Sequence, residues 1–155
     1  MNILFFLTPK SEVAFLYDTD SLGQALKKME SHRYSAIPII ARDSGRYVGT
    51  LTEGDLLWKL KDSKNLSFQG AEKLSVMEIE RNRDNEPVEA DADMEDLINK
   101  AVNQNFVPVI DGDQCFIGLI KRKDIILYLS SRLAAAKAAM SERKRAKEAE
   151  TCIIS

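Results

Sequence analysis

A ten-residue stretch occurs twice in this chain, so whatever fold the chain adopts must be duplicated as well. Residues 48–57 read VGTLTEGDLL and residues 117–126 read IGLIKRKDII. In each copy an apolar run meets a glycine, two apolar or small residues follow, and an aspartate lies six positions beyond the glycine. Gly49 and Gly118 are 69 residues apart, as are Asp55 and Asp124. Upstream, AIPII at 36–40 matches FVPVI at 106–110, with Pro38 and Pro108 separated by 70. The apolar set Leu22, Ala25, Leu26 and Met29 matches Met94, Leu97, Ile98 and Ala101 at a separation of 72. Short loop indels account for that drift. Repeats of this length are supersecondary units that cannot bury their apolar faces alone, and a unit of roughly 60 residues is marginal by itself. The halves are therefore expected to share a core.

Within each half the local signals run strand, helix, strand, strand, helix. In the first, 14–17 reads as a strand, and Asp20 or Ser21 caps a helix with the face Leu22, Ala25, Leu26, Met29. Residues 37–40 and 47–51 form a hairpin turning at 42–45, and 53–61 is a helix ending in the polar stretch 61–65. In the second, a strand near Val88 precedes a helix over 93–103, strands at 107–110 and 115–120, and a helix from Arg122 onward. Residues 3–7 read as a short strand or helical turn covering the first half. Leu74, Val76, Met77 and Ile79, in the connector 66–83, read as their equivalents on the second. Residues 127–150 contain neither glycine nor proline, so the last helix is expected to project past the domain. It is either a solvated helix or a self-association or partner-docking helix. The division is 1–66 for the first unit, 67–133 for the second and 134–155 for a charged helical tail.

Several function classes are excluded. A net charge of −2 argues against a general polyanion binder. The basic clusters at 121–123 and 143–147 lack the aromatic interleaving of a single-strand binder, so no nucleic-acid partner is expected. Cys115 and Cys152 are too few and too distant for a disulfide framework or metal site. His32 is the only histidine, which excludes histidine-based zinc and triad chemistry. The opening MNILFFL lacks a basic leader and is far shorter than a membrane span; a cytoplasmic protein without membrane insertion is expected. No nucleophile and base pair, metal cluster or Walker-type loop is visible, so the chain reads as non-enzymatic.

With the strand-Pro-strand segment and the Gly-apolar-apolar-Thr-x-x-Asp motif each present twice across residues 8–133, the chain resembles the paired cystathionine-β-synthase (CBS) domains, or Bateman module. The resemblance implies an α+β fold of two β-α-β-β-α CBS units related by a pseudo-two-fold axis, their sheets packed together, with two clefts between them. In the family those clefts bind adenosine compounds such as AMP, ADP, ATP, S-adenosylmethionine or cyclic di-AMP, and no further cofactor is required. Carried over by residue, one cleft uses Thr52 and Asp55 with Asn105, Phe106, Val107 and Pro108, together with the 79–86 stretch. The other uses Lys121, Arg122 and Asp124 with Thr8, Val13, Ser35, Ala36, Ile37 and Pro38. Thr8 resembles the early threonine that meets phosphate in the family, whereas Lys121 replaces the usual serine or threonine. The implied function is a regulatory module that senses adenine nucleotides and signals to an unknown protein target, as a homodimer. The alternative is a ligand-free scaffold acting through the last helix.

The residue types suit that chemistry. An ionised aspartate at a helix start accepts two hydrogen bonds from vicinal ribose hydroxyls, each charge-assisted bond contributing roughly 1.5–3 kcal/mol, and the free helix-start amides favour a phosphate. The segment 52–55 also reads as a capping box with aspartate at its third position. Lys121 cannot accept an amide hydrogen bond, so Asp124 has no reciprocal capping partner and is left for a ligand or a neighbouring cation. Three cations at 121–123 are unfavourable at a helix start unless an anion arrives. The Asp124 cleft is therefore expected to be the better phosphate binder, with the opposing cleft, bounded by Glu80 and Glu86, weaker or empty. His32 and Arg33 lie within reach of a phosphate or else in solvent, and Trp58 reads as core or a dimer contact.

Overall fold

The computed structural model describes residues 1–62 and 68–154. The boundary drawn at 66/67 and residues 63–65 of the polar stretch lie outside the described residues. A 3-10 turn at Ile3–Phe6 leads into β1 (Thr8–Pro9), a second turn at Lys10–Glu12 and β2 (Leu16–Tyr17). Then follow α1 (Leu22–His32), β3 (Ala36–Ile40), β4 (Tyr47–Thr52) and α2 (Glu53–Asp62). After α3 (Phe68–Ala71) and a 3-10 turn at Val76–Glu78, the order repeats as β5 (Val88–Glu89), α4 (Met94–Ala101), β6 (Phe106–Ile110), β7 (Phe116–Lys121) and α5 (Arg122–Ile154). The local starts have visible causes. Ser21 and Gln24 form a reciprocal capping box on α1, and Asp93 accepts from Asp96 N–H at the start of α4.

One sheet has the order β2-β3-β4 and the other β1-β7-β6-β5. In both, a parallel pair (β2 with β3, β5 with β6) is followed by an antiparallel hairpin, and the same irregularity recurs, between Ile39 and Ile40 and between Val109 and Ile110. Gly45 and Gln114, 69 residues apart, both turn through positive φ, at 77° and 67°. The duplication thus reaches the backbone conformation, even where glutamine stands in place of glycine.

The halves exchange their leading segments. Strand β1 pairs antiparallel with β7, not with its own half, and Ile3 is fully buried in the core of the second half with Val88, Leu97, Val107 and Ile120, flanked by Phe6 and Leu7. Val76 and Ile79 conversely join the first-half core of Leu16, Leu22, Ile37 and Leu51. This corrects the expected assignment of 3–7 to the first half and 74–79 to the second. A helical turn carries no period long enough to say which sheet it covers. Met77, placed with that apolar set, is 45% exposed. The first strand is also shorter than 14–17, because only Leu16 and Tyr17 reach β3.

A third cluster joins the halves: Ile40, Phe106, Phe116 and Leu119, with Val13, Phe15, Ala36 and Tyr47 against them. The two hairpin turns are also stitched to each other, Phe116 N–H donating to Gly45 O at 2.9 Å and Tyr47 N–H to Gln114 O at 3.2 Å. The repeated glycines permit close approach elsewhere. A Cβ on Gly118 would collide with Thr8 O, and one on Gly49 with the Asp84 carboxylate. Trp58 is not core: it is 57% exposed, with the Lys61 ammonium 5.1 Å from its ring centroid. Helix α5 runs 33 residues, about 50 Å at the usual rise, and residues 131–153 are exposed throughout. Among the described residues no helix is long and apolar enough to cross a membrane.

Because Ile3 fills the second-half core, Ile3→Ala is expected to cost about 2–4 kcal/mol despite its place next to the chain terminus, measured by urea unfolding. A loss below about 0.5 kcal/mol would show that the exchange of segments contributes no packing.

Candidate functional site

The interface between the halves opens into a cleft of about 300 Å³. Its first-half wall comes from β1, the turn before β2 and the end of α1 with the start of β3: Thr8, Glu12, Val13, Ala14, and Arg33 to Ala36 with Pro38. The second half supplies Asn105 and Phe106 at the start of β6, Leu119 from β7, and Lys121 and Lys123 around the start of α5. Thr8 reaches this place because β1 crosses over to pair with β7, setting Thr8 opposite Leu119.

Of the residues expected at the Asp124 cleft, Thr8, Val13, Ser35, Ala36, Pro38 and Lys121 are brought together here. Asn105 and Phe106, carried over to the opposite cleft, line this one instead. The wall also holds Glu12, Ala14, Arg33, Tyr34, Leu119 and Lys123, of which only Arg33 and Lys123 carried a sequence signal, as cations near the motif. Arg122 and Asp124 are not in the wall, although Lys121 and Lys123 flank the first and Lys123 precedes the second. Ile37 and Val107 are fully buried within the two half-cores, and Pro108 is buried opposite Leu119. Alternation along a strand turns Ile37 and Val107 away from the wall that Ala36, Pro38 and Phe106 line, whereas Pro108 shares the face of Phe106 and is covered there.

The duplicated aspartates differ sharply. Asp55 is 4% exposed and both its oxygens are engaged. Oδ2 accepts from Thr52 N–H at 3.0 Å while Asp55 N–H donates to Thr52 Oγ1 at 3.1 Å, a reciprocal capping box. Oδ1 accepts from Asn82 N–H at 3.0 Å. Asp124 is half-buried and has neither a hydrogen-bond nor an ion-pair partner among the described residues.

The connector occupies the ground where the second cleft was expected. Asp84 Oδ1 accepts from Thr50 N–H at 2.9 Å and from Arg81 Nε at 2.8 Å. The Tyr47 hydroxyl donates to Asn85 O at 2.7 Å and lies 2.6 Å from Thr50 Oγ1, and burial pushes its phenol well above the usual range. Asn85 Nδ2 and Gln104 Nε2 both donate to Phe106 O, at 3.1 and 3.3 Å, and Gln104 Oε1 accepts from Glu86 N–H. Lys100 holds Glu86 at 3.0 Å and keeps its carboxyl below the ordinary value. What remains beside Thr52 and Asp55 is a surface hollow of about 440 Å³ bounded by Trp58, Lys59, Asp62, Glu80 and Asn82. None of residues 105–108 lines it. Among the described residues no group of acidic, histidine and cysteine side chains is placed to hold a metal.

The family model described as CBS domain matches residues 7–62 and 76–131. Among solved structures, CbpB in complex with c-di-AMP is similar at a TM-score of 0.77 and 24% identity, over 90% of this chain and 91% of that one. A CBS domain protein from Streptococcus pneumoniae is similar at 0.72 and 25% identity, over 83% and 86%. CbpB from Streptococcus agalactiae is similar at 0.72 and 26% identity, over 85% and 82%. Among curated proteins no sequence matches the chain.

The unequal aspartates give a stability contrast. Asp55→Ala leaves two part-buried amides without their acceptor and removes a cap, so it is expected to cost about 1–3 kcal/mol, whereas Asp124→Ala is expected to stay within about 0.5 kcal/mol of the parent. Equal losses in denaturant titrations would contradict the asymmetry. Tyr47 supplies a pH signature. A phenol pKa raised on folding leaves its contribution intact below pH about 10 and removes it as pH rises further. Tyr47→Phe is therefore expected to flatten the alkaline loss of stability, read from melting temperatures between pH 8 and 11.

Proposed function

Since the chain belongs to the CBS domain family, with two copies in tandem, we propose that it is a non-enzymatic regulatory module that binds one adenine nucleotide in the cleft between its halves. The observation that carries this reading is the pairing of an open cleft with an open carboxylate. The cleft joins the Thr8, Ser35 to Pro38 and Asn105 to Phe106 segments to the start of α5, and Asp124, in the first turn of that helix, has no hydrogen-bond or ion-pair partner among the described residues while its repeat mate Asp55 is fully used. The adenine lies against Ala36, Pro38, Phe106 and Leu119, its ribose hydroxyls donate to Asp124, and its phosphate meets Lys121, the first turn of α5 and Thr8. Asp124 meets the ribose from the first turn of α5, next in sequence to Lys123 of the wall. AMP, ADP, ATP and cyclic di-AMP all fit this description. Cyclic di-AMP has further support from CbpB, whose fold this chain shares and which has been solved with that ligand.

The Thr52 and Asp55 side, which none of residues 105–108 lines and where Asp55 is taken up by its own cap and Asn82, is the weaker site. Ligand acts by favouring one arrangement of the two halves over another, and a homodimer passes that state to a protein target in the cytoplasm. A second reading, a ligand-free scaffold working through α5, is favoured by the exposure of residues 131–153.

Titration calorimetry with AMP, ADP, ATP and cyclic di-AMP distinguishes the two. One site per chain is expected for at least one of them, and Asp124→Ala is expected to weaken it tenfold or more, consistent with loss of charge-assisted bonds of about 1.5–3 kcal/mol each. Silence of all four at millimolar concentration would select the scaffold.

A further inference from the structure

Helix α1 ends in a form that favours glycine, yet arginine stands there. Tyr34 N–H donates to Met29 O at 3.0 Å and Arg33 N–H to Glu30 O at 3.3 Å, the paired bonds of a Schellman ending. Arg33 occupies its left-handed position, at φ 54° and ψ 40°, where a Cβ is disfavoured and glycine is not. The local backbone therefore gives no reason for a long side chain. The cleft gives one: Arg33 lines it, exposed, and its guanidinium has no hydrogen-bond or ion-pair partner among the described residues.

Across the cleft stand Lys121 and Lys123, also without acid partners among the described residues. Glu12 is the only acid in the wall. Even with Asp124 engaged on the ribose, three cations outnumber the carboxylates, and they are contributed from both halves. Such a field favours an anionic ligand and disfavours a cationic one. A fork of guanidinium donors also matches phosphate oxygens in a way that a point charge does not.

We propose that Arg33 is the anion-selecting residue of this cleft, completing from the first half a phosphate site that Lys121 and Lys123 begin from the second. The ligand class is then an adenine nucleotide with a dianionic phosphate, as in AMP, or with two singly charged phosphodiesters, as in cyclic di-AMP. Uncharged adenosine and cationic S-adenosylmethionine are disfavoured. This rests on the reading that a nucleotide occupies the cleft.

The test measures AMP, cyclic di-AMP and adenosine binding to the parent, Arg33→Gly and Arg33→Lys by calorimetry, with melting curves alongside. Arg33→Gly suits the left-handed backbone, so its melting temperature is expected to equal or exceed that of the parent. Its affinity for whichever nucleotide the parent binds is expected to fall tenfold or more. Arg33→Lys is expected to recover part of that affinity, and adenosine is expected to bind all three proteins alike. A parent that binds neither nucleotide overturns this inference, and one that is silent to ADP and ATP as well overturns the nucleotide reading with it. A parent that binds, with Arg33→Gly binding equally well, overturns this inference alone. Equal loss for adenosine also overturns it, since the residue would then act on the nucleoside and not on the charge.

Discussion

Neither half of this protein can close its own apolar surface, and the remaining features are arranged around that fact. Ile40, Phe106, Phe116 and Leu119 form a cluster to which both halves contribute. The leading segment of each half is also given to the other, Ile3 to one core and Val76 with Ile79 to the other. A small unit buries too little surface to be stable alone, and exchanging segments makes the two halves a single cooperative body. The same exchange builds the cleft, because β1 brings Thr8 to β7 and faces it toward residues 33–36.

Duplication of sequence did not produce duplication of chemistry. Each hairpin has a glycine that lets another group lie against the strand, but that group is the backbone at Thr8 on one side and the Asp84 carboxylate on the other. On the Asp84 side the connector from 81 to 86 is tied down through Thr50, Tyr47, Phe106 and Gln104, and the aspartate of the motif caps its own helix. On the other side those positions stay open and the helix start carries cations. A buried carboxylate with two amide partners is a structural element. The same residue type with none is available for binding.

The three cations around the open cleft come from two distant places in the chain, Arg33 from a helix end and Lys121 and Lys123 from a helix start some 90 residues later. Cations at a helix start are held at some cost to the macrodipole, and an arginine in the left-handed region is held at some cost to the backbone. Two unrelated local costs thus converge on one cleft, and this convergence is what the proposed anionic ligand rests on.

The sequence by itself determined the duplicated order of strands and helices, the hairpins, the long final helix and the family. The elements follow from short-range periodicity, capping residues and the regular spacing of Gly, Pro and Asp, and the family from the resemblance that the repeated motifs carry. It also marked Lys121 and Asp124 as the unusual copy of the motif, since lysine cannot cap. Tertiary structure alone decided which half each leading segment covers, that Ile37 and Val107 face inward, that Asn105 and Phe106 belong to the same cleft as Thr8, and that residues 81–86 close the other. These are choices between partners distant in the chain. They are settled by which surfaces and unsatisfied amides meet across the interface, and no local pattern records that.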